Sequence, residues 1–442
     1  MGSYYCHSLS FSFGGGQPAK LNSGYFEIRL TIIAINSHYK NDSSVYLLQL
    51  CPTIFFMHLL KINFLLLLAN SILFLSCDPA KKSLLSPKPD SIPSLHFLGE
   101  LDIPYNLQFN NTTVGGLSGI DYDAAHNLYY FISDDRSAIN NARFYTATIS
   151  FTQKGIDSIH FTGVQFLLQP NGTAYPNNKQ DPFNTPDPEA IRYSAGSNQL
   201  IWSSEGERIV KDKDTVLENP SIISVSTEGK YMDSFTLPPN LFMQSIEKGP
   251  RQNSALEGLT FADNYSTLFV NAEEPLYEDG PRADVVDNNA FIRILKFDVG
   301  TKKNTAQYAY KLDAVAYAAN PENGFKINGM PDILSLGNNK FITIERSFST
   351  GRLPCTIKVF MTDLNNATDI TNIPLMNTVT PFTPATKKLL LNMDELGIYT
   401  DNIEGVTFGP TLPNGNRTLL FISDNNFNAF EKTQLLLFEL IE

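Results

Sequence analysis

A short apolar run that ends on an acid recurs five times in this chain, and it limits the available folds more than any other feature. The copies are Tyr130-Phe131-Ile132-Ser133-Asp134, Ile201-Trp202-Ser203-Ser204-Glu205, Phe269-Val270-Asn271-Ala272-Glu273, Ile342-Thr343-Ile344-Glu345 and Phe421-Ile422-Ser423-Asp424. Their acids lie 71, 68, 72 and 79 residues apart. Before each copy stands another β-patterned run, at 118–122, 189–193, 257–261, 332–334 (a degraded copy at Asp332) and 404–408. β-branched and aromatic residues between Gly, Asn and Asp clusters mark these runs as strands. Third strands fit 144–151, 222–226, 291–297, 356–361 and 434–440, and fourth strands fit 164–168, 234–237 and 306–312.

Four antiparallel strands per unit, repeated about an axis, predict an all-β chain folded as a β-propeller of five blades. The fifth unit runs out of chain after its third strand. A run at 95–101 would supply the missing partner and close the ring, which removes an exposed sheet edge. A sixth blade would need 155–188 or 313–330 to hide another sheet. Stacked β-sandwiches would give no reason for the acids to recur in register.

The N-terminal part reads differently. Met57-His58-Leu59-Leu60-Lys61 leads into an apolar run at 64–75, too short to span a bilayer comfortably but suited to a signal-peptide core. Phe74-Leu75-Ser76-Cys77 resembles a bacterial lipobox, with Cys77 the residue to be lipidated. The expected organisation is an upstream extension at 1–56, a lipoprotein-type signal peptide at 57–76, a proline-rich tether at 77–94 and one domain at 95–442. Such a chain would be exported to the cell envelope and touch the membrane through its lipid alone. Of Cys6, Cys51, Cys77 and Cys355, only Cys355 would remain as a free thiol, so no disulfide framework holds the fold.

Charge and motif content exclude several chemistries. With 33 Lys+Arg against 45 Asp+Glu the formal net charge is −12, which disfavours a nucleic-acid partner. His96, His126 and His160 are scattered outside the repeated positions, so a His-rich zinc site is not expected. Gly116-Leu117-Ser118-Gly119-Ile120 lacks the last glycine of a hydrolase nucleophile elbow. Cys355 fits a buried small hydrophobe better than a nucleophile.

Propeller geometry turns the register into chemistry. Glu189, Glu257 and Glu404 fall at one level of the innermost strands, and Asp134, Glu205, Glu273, Glu345 and Asp424 at the ends of their neighbours. Up to eight carboxylates would then ring one funnel, where some must be protonated or neutralised by cations. Arg136, Arg251 and Arg346 lie beside them in sequence, as do Asn253, Asn402, Asn425 and Asn426. Calcium, which takes six to eight oxygen ligands in flexible geometry, suits such a donor set. Asp134, Glu189, Glu205, Glu273, Glu345 and Asp424 are the candidate ligands. Glu257 and Glu404 are candidates for activating water or ligating metal, Arg251 and Arg346 for holding an anion, and Arg136, Asn253 and Asn425 for binding substrate. The ingredients fit hydrolysis of an anionic small molecule such as a phosphoester. They also fit a calcium-dependent lactonase or esterase, and a propeller that binds a ligand without catalysis. Oligomeric state is not legible.

Several segments together resemble the phytase-like family, "esterase-like activity of phytase". They are Gly115-Gly116-Leu117-Ser118-Gly119-Ile120-Asp121-Tyr122, Ser133-Asp134-Asp135-Arg136, Asp187-Pro188-Glu189-Ala190-Ile191 and Ser204-Glu205-Gly206. Arg251-Gln252-Asn253, Glu257-Gly258-Leu259, Glu345-Arg346-Ser347-Phe348, Asn402-Ile403-Glu404-Gly405 and Ser423-Asp424-Asn425-Asn426-Phe427 complete the set. The resemblance implies a β-rich, often exported domain with many acidic residues and a hydrolytic role on phosphoesters. The fourth unit departs from it by having Asp332 where the others align a Glu-Gly or similar pair.

Overall fold

The computed structural model describes residues 93–441, apart from 153–154 and 374–379. The expected extension, signal peptide and Cys77, and all but the end of the tether, lie outside the described residues. Within them the chain is all-β, with only two short 3-10 turns, Pro239–Leu241 and Met393–Leu396.

Five antiparallel sheets follow in chain order as blades. The first holds Leu117–Asp123, Leu128–Ser133, Arg143–Thr152 and Gly155–Phe166 from axis to rim. The second holds Pro188–Ser194, Gln199–Ser204, Ser221–Ser226 and Tyr231–Ser234, and the third Leu256–Ala262, Thr267–Ala272, Phe291–Asp298 and Lys303–Lys311. In the fourth, Lys340–Ser349 carries two inner partners end to end, Lys326–Gly329 and Ile333–Gly337, and pairs outward with Thr356–Asp363 and then Thr386–Asn392. The fifth holds Asn402–Phe408, Arg417–Asp424 and Thr433–Ile441, and its outer strand is Ser94–Ile103 from the start of the domain. Ser94 pairs with Ile441 and Ile103 with Thr433, so the two ends of the chain close the ring. The 155–188 and 313–330 stretches hold no separate blade sheet: the first supplies an outer strand, and the second a short strand of the fourth blade.

Alternating apolar residues pack between neighbouring blades. Phe269 meets Phe341 edge-on at 4.8 Å between the third and fourth blades, and Tyr130 stacks on Tyr193 at 5.3 Å between the first and second. Burying one such side chain stabilises by about 1.5–3 kcal/mol.

The axis is bolted rather than open. Arg192 donates from Nη1 to the Ile120 carbonyl at 2.8 Å, and from Nη2 to both Asp332 carboxylate oxygens at 2.8 and 2.7 Å and to the Ile333 and Val406 carbonyls. Asp332 also accepts from the Ile333 and Val406 amides at 2.8 Å. One buried ion pair thereby ties the first, second, fourth and fifth blades, and Asp332 is committed to it. It forms the floor of whatever lies above.

Candidate functional site

The innermost strands share a defect that builds the site. Pairing register shifts between Pro188 and Ile191, between Leu256 and Leu259, and between Ile403 and Gly405. Each shift is a β-bulge at the repeated glutamate: Glu189, Glu257 and Glu404. A bulge re-aims the side chain of the extra residue, here toward the mouth of the ring. The first blade bulges at Ser118, whose hydroxyl donates to the Glu189 carbonyl at 2.7 Å and joins it to the second blade. The small residue after the glutamate lets adjacent inner strands touch. A Cβ on Gly258 would fall 2.5 Å from the Asp332 Cα.

The neighbouring strands bring their terminal acids to the same mouth. One carboxylate oxygen from each of Glu205, Glu257 and Glu273 lies within 4.8 Å of the others, and the same holds for Asp187, Glu189 and Glu205. Asp134, Glu404 and Asp424 complete the ring, which their mutual repulsion registers. Burial first, then Asp424 and Glu404, push the Asp134 carboxyl up. Burial followed by Asp187 and Glu205 does the same to Glu189, and burial followed by Glu189 and Glu205 to Glu257. Burial also raises Glu205, and the nearby Glu273 adds to it. Asp187 and Asp424 are each pushed up to about 7, mainly by burial. Glu404 reaches about 8 because burial outweighs the Arg346 charge beside it.

Two arginines answer eight carboxylates. Arg346 donates to Glu273 at 2.7 Å and to the Asn402 side-chain oxygen at 2.5 Å, and lies 3.6 Å from Glu404. Asn402 in turn donates to Glu404 at 2.9 Å. Burial opposes the Arg346 charge, but Glu404 and Glu273 outweigh that and hold it protonated. Its Nε is buried with no hydrogen-bond partner. Arg136 is held by Glu207 at 2.5 Å and lies 3.7 Å from Asp187.

The structure places four of the sequence candidates elsewhere. Glu345 does not face the mouth. Its carboxylate accepts from Tyr310 at 2.7 Å, from the Asp313 amide at 2.9 Å, from Asn328 at 2.7 Å and from Lys387. The fourth-blade strand runs on past it to Ser349, so strand alternation sends Glu345 one way and Arg346 the other. Arg251 sits apart from the ring, donating to the Pro275 and Gly280 carbonyls at 2.9 and 2.8 Å. Asn425 is a loop clamp, accepting from the Gly116 and Phe427 amides at 3.0 and 3.1 Å. Asn253 is exposed, at a positive φ of 51°. Asp187, which was not among the candidates, belongs to the ring. Its signal was an acid two residues before Glu189, where the bulge lets both face one way. Cys355 is buried in the core, its thiol pushed up to about 11 by burial.

A family model described as phytase-like, esterase-like activity of phytase, matches residues 112–427. The chain belongs to this family. The matched span covers seven of the eight ring acids by sequence position from Asp134 to Glu404, and the eighth, Asp424, as well. No curated protein matches this phytase-like chain. Among solved structures it is similar to an exo-β-1,3-galactanase from Phanerochaete chrysosporium at 12% identity and a TM-score of 0.40, over 78% of this chain and 64% of that one. It therefore spans less than two thirds of the galactanase. It is also similar to a gluconolactonase from Xanthomonas campestris, at 10% identity and a TM-score of 0.32, over 79% of this chain and 95% of that one.

Proposed function

We propose that this phytase-like propeller is a divalent-cation-dependent hydrolase of anionic phosphoesters, working at the acid-ringed mouth. The observation that carries the reading is the charge imbalance: among the described residues, eight carboxylates converge there with only Arg346 and Arg136 among them. Hard oxygen donors, several buried and without cationic partners, fit calcium. Glu205, Glu257 and Glu273 would form one seat, and Asp187, Glu189 and Glu205 a neighbouring one. A bound cation would supply charge neutralisation for the ester oxygens.

The chain's own residues account for the rest. Arg346, gripped by Glu273 and Asn402, presents a fixed guanidinium at the mouth for bidentate recognition of an anion. Glu404 keeps only a small exposed edge at the mouth and, at about 8, exchanges its proton near neutrality, as a group that takes a proton from attacking water should. The Arg192–Asp332 bolt closes the floor, so substrate enters and leaves by the same side.

The decisive experiment strips divalent ions with EDTA and resupplies calcium, following hydrolysis of nitrophenyl phosphate mono- and diesters together with thermal stability. The reading expects calcium-dependent turnover and a stabilising shift. The absence of both hydrolysis and a stabilising shift overturns it. The export reading belongs to the same proposal, with Cys77 carrying the lipid. Incorporation of labelled fatty acid that disappears in Cys77→Ala checks it.

A further inference from the structure

Arg251 is the sequence candidate that the mouth does not use, and it lines a pocket of its own. We propose that this pocket, between the loop entering the third blade, the loop joining that blade's second and third strands, and the start of the fourth-blade strand Lys326–Gly329, is a second anion subsite. It takes a tetrahedral oxyanion, a phosphate that the substrate carries away from the bond cleaved at the mouth. This rests on the hydrolase reading.

The pocket measures about 430 Å³ and is lined by Arg251, Arg282 and Lys326 with Asn288 and Asp284. Its cations are held in place. Arg251 is fixed by the two carbonyl contacts and by the Tyr277 ring, 4.3 Å from its guanidinium, none of which carries opposite charge. Arg282 lies 3.0 Å from Glu274, and Asn288 donates to its backbone carbonyl at 2.7 Å, ordering the loop. Lys326 lies 3.4 Å from Asp284. Three cations thus face two carboxylates in a chain of net charge −12. Burial and then the neighbouring Arg282 charge lower the Arg251 pKa, while Glu274 acts the other way. A planar fork beside an ammonium matches phosphate geometry.

The pocket also adjoins the mouth. Glu273 and Glu274 are consecutive: the first grips Arg346 in the ring, the second faces Arg282 in the pocket. A ligand with two anionic groups could reach both across this short stretch of chain.

Titration calorimetry of the EDTA-treated protein with inorganic phosphate tests the pocket without any cation at the mouth. Wild type should bind, the Arg251→Gln/Arg282→Gln double variant at least about tenfold more weakly, and Glu257→Gln as well as wild type. Lys326→Gln, which removes a charge from a half-exposed position and leaves the core intact, should weaken binding in the same direction if the double variant misfolds. No binding by wild type, or binding lost in Glu257→Gln and kept in the pocket variants, overturns the proposal. A second arm compares KM of the calcium-loaded protein for a monophosphate and a bisphosphate ester. A rise confined to the bisphosphate in the pocket variants supports a substrate handle. Unchanged KM for both, with phosphate binding lost, overturns the substrate assignment in favour of free phosphate. If wild type hydrolyses neither ester, the mouth reading fails, and the phosphate titration alone judges the pocket.

Discussion

Glu345 and Arg346 are neighbours in sequence that face opposite sides of one strand, and the difference can be measured. Glu345 satisfies Tyr310, Asn328, the Asp313 amide and Lys387 in the gap beside the fourth blade. Glu345→Gln should therefore destabilise by about 2–4 kcal/mol, the cost of breaking a buried charged network, and leave calcium affinity unchanged. Glu257→Gln should do the reverse. It removes one of several crowded like charges, so the cation-free protein keeps or gains stability while calcium affinity falls by about tenfold or more. Denaturant unfolding and calcium titration of the pair decide the matter, and equal loss of calcium binding in both would place Glu345 back at the mouth. Arg346→Gln should lower kcat/KM by about 10²–10³, the range for losing one charged anion donor. Calcium should bind it no less tightly, because a competing cation is gone. Sequence spacing could not separate Glu345 from the ring acids, since its register depends on how far the strand continues, and that is set by the partner at Lys326–Gly329.

At the scale of the element, most blade strands were legible, because the inner ones are buried on both faces and read as short β-branched and aromatic runs that end at turns. Two strands of the fourth blade escaped that pattern: the outer strand Thr386–Asn392, which follows its hairpin partner only after the 364–385 insertion, and Lys326–Gly329; the outer strand of the first blade runs over Gly155–Phe166 rather than 164–168. The bulges were not legible. They depend on a partner strand that pairs around the extra residue, yet they are what turns Glu189, Glu257 and Glu404 inward. The residue that follows records the constraint. Ala at position 258 would place its Cβ 2.5 Å from the Asp332 backbone and 2.6 Å from the Asn271 side chain. Gly258→Ala should cost about 2–3 kcal/mol by thermal or denaturant unfolding, as overpacking against backbone does. It should also weaken calcium binding, since shifting this strand displaces Glu257. A variant with wild-type stability would show that the inner strands have slack.

On the scale of the whole molecule, the two faces of the ring are built unequally. Turns on the face away from the acids are mostly four residues or fewer, whereas connections on the acid face run from 6 to 21 residues. Long connections carried on a rigid frame are where binding surfaces are built, and here they surround a mouth with a large excess of negative charge. That imbalance ties stability to pH. Asp187 and Asp424 at about 7 and Glu404 at about 8 hold protons in the folded ring that the unfolded chain releases near pH 4. Between those values the folded state binds more protons, so its stability must fall as pH rises. Without divalent ions the melting temperature should drop from pH 5 to pH 8, for a loss of several kcal/mol. Calcium replaces the protons as counter-charge, so adding it should restore most of that loss at pH 8 and change little at pH 5. Differential scanning calorimetry at the two pH values, with EDTA and with calcium, reads all four states. A melting temperature that climbs with pH in EDTA would mean that the ring is already neutralised by something other than protons, and the cation would then have no work to do there.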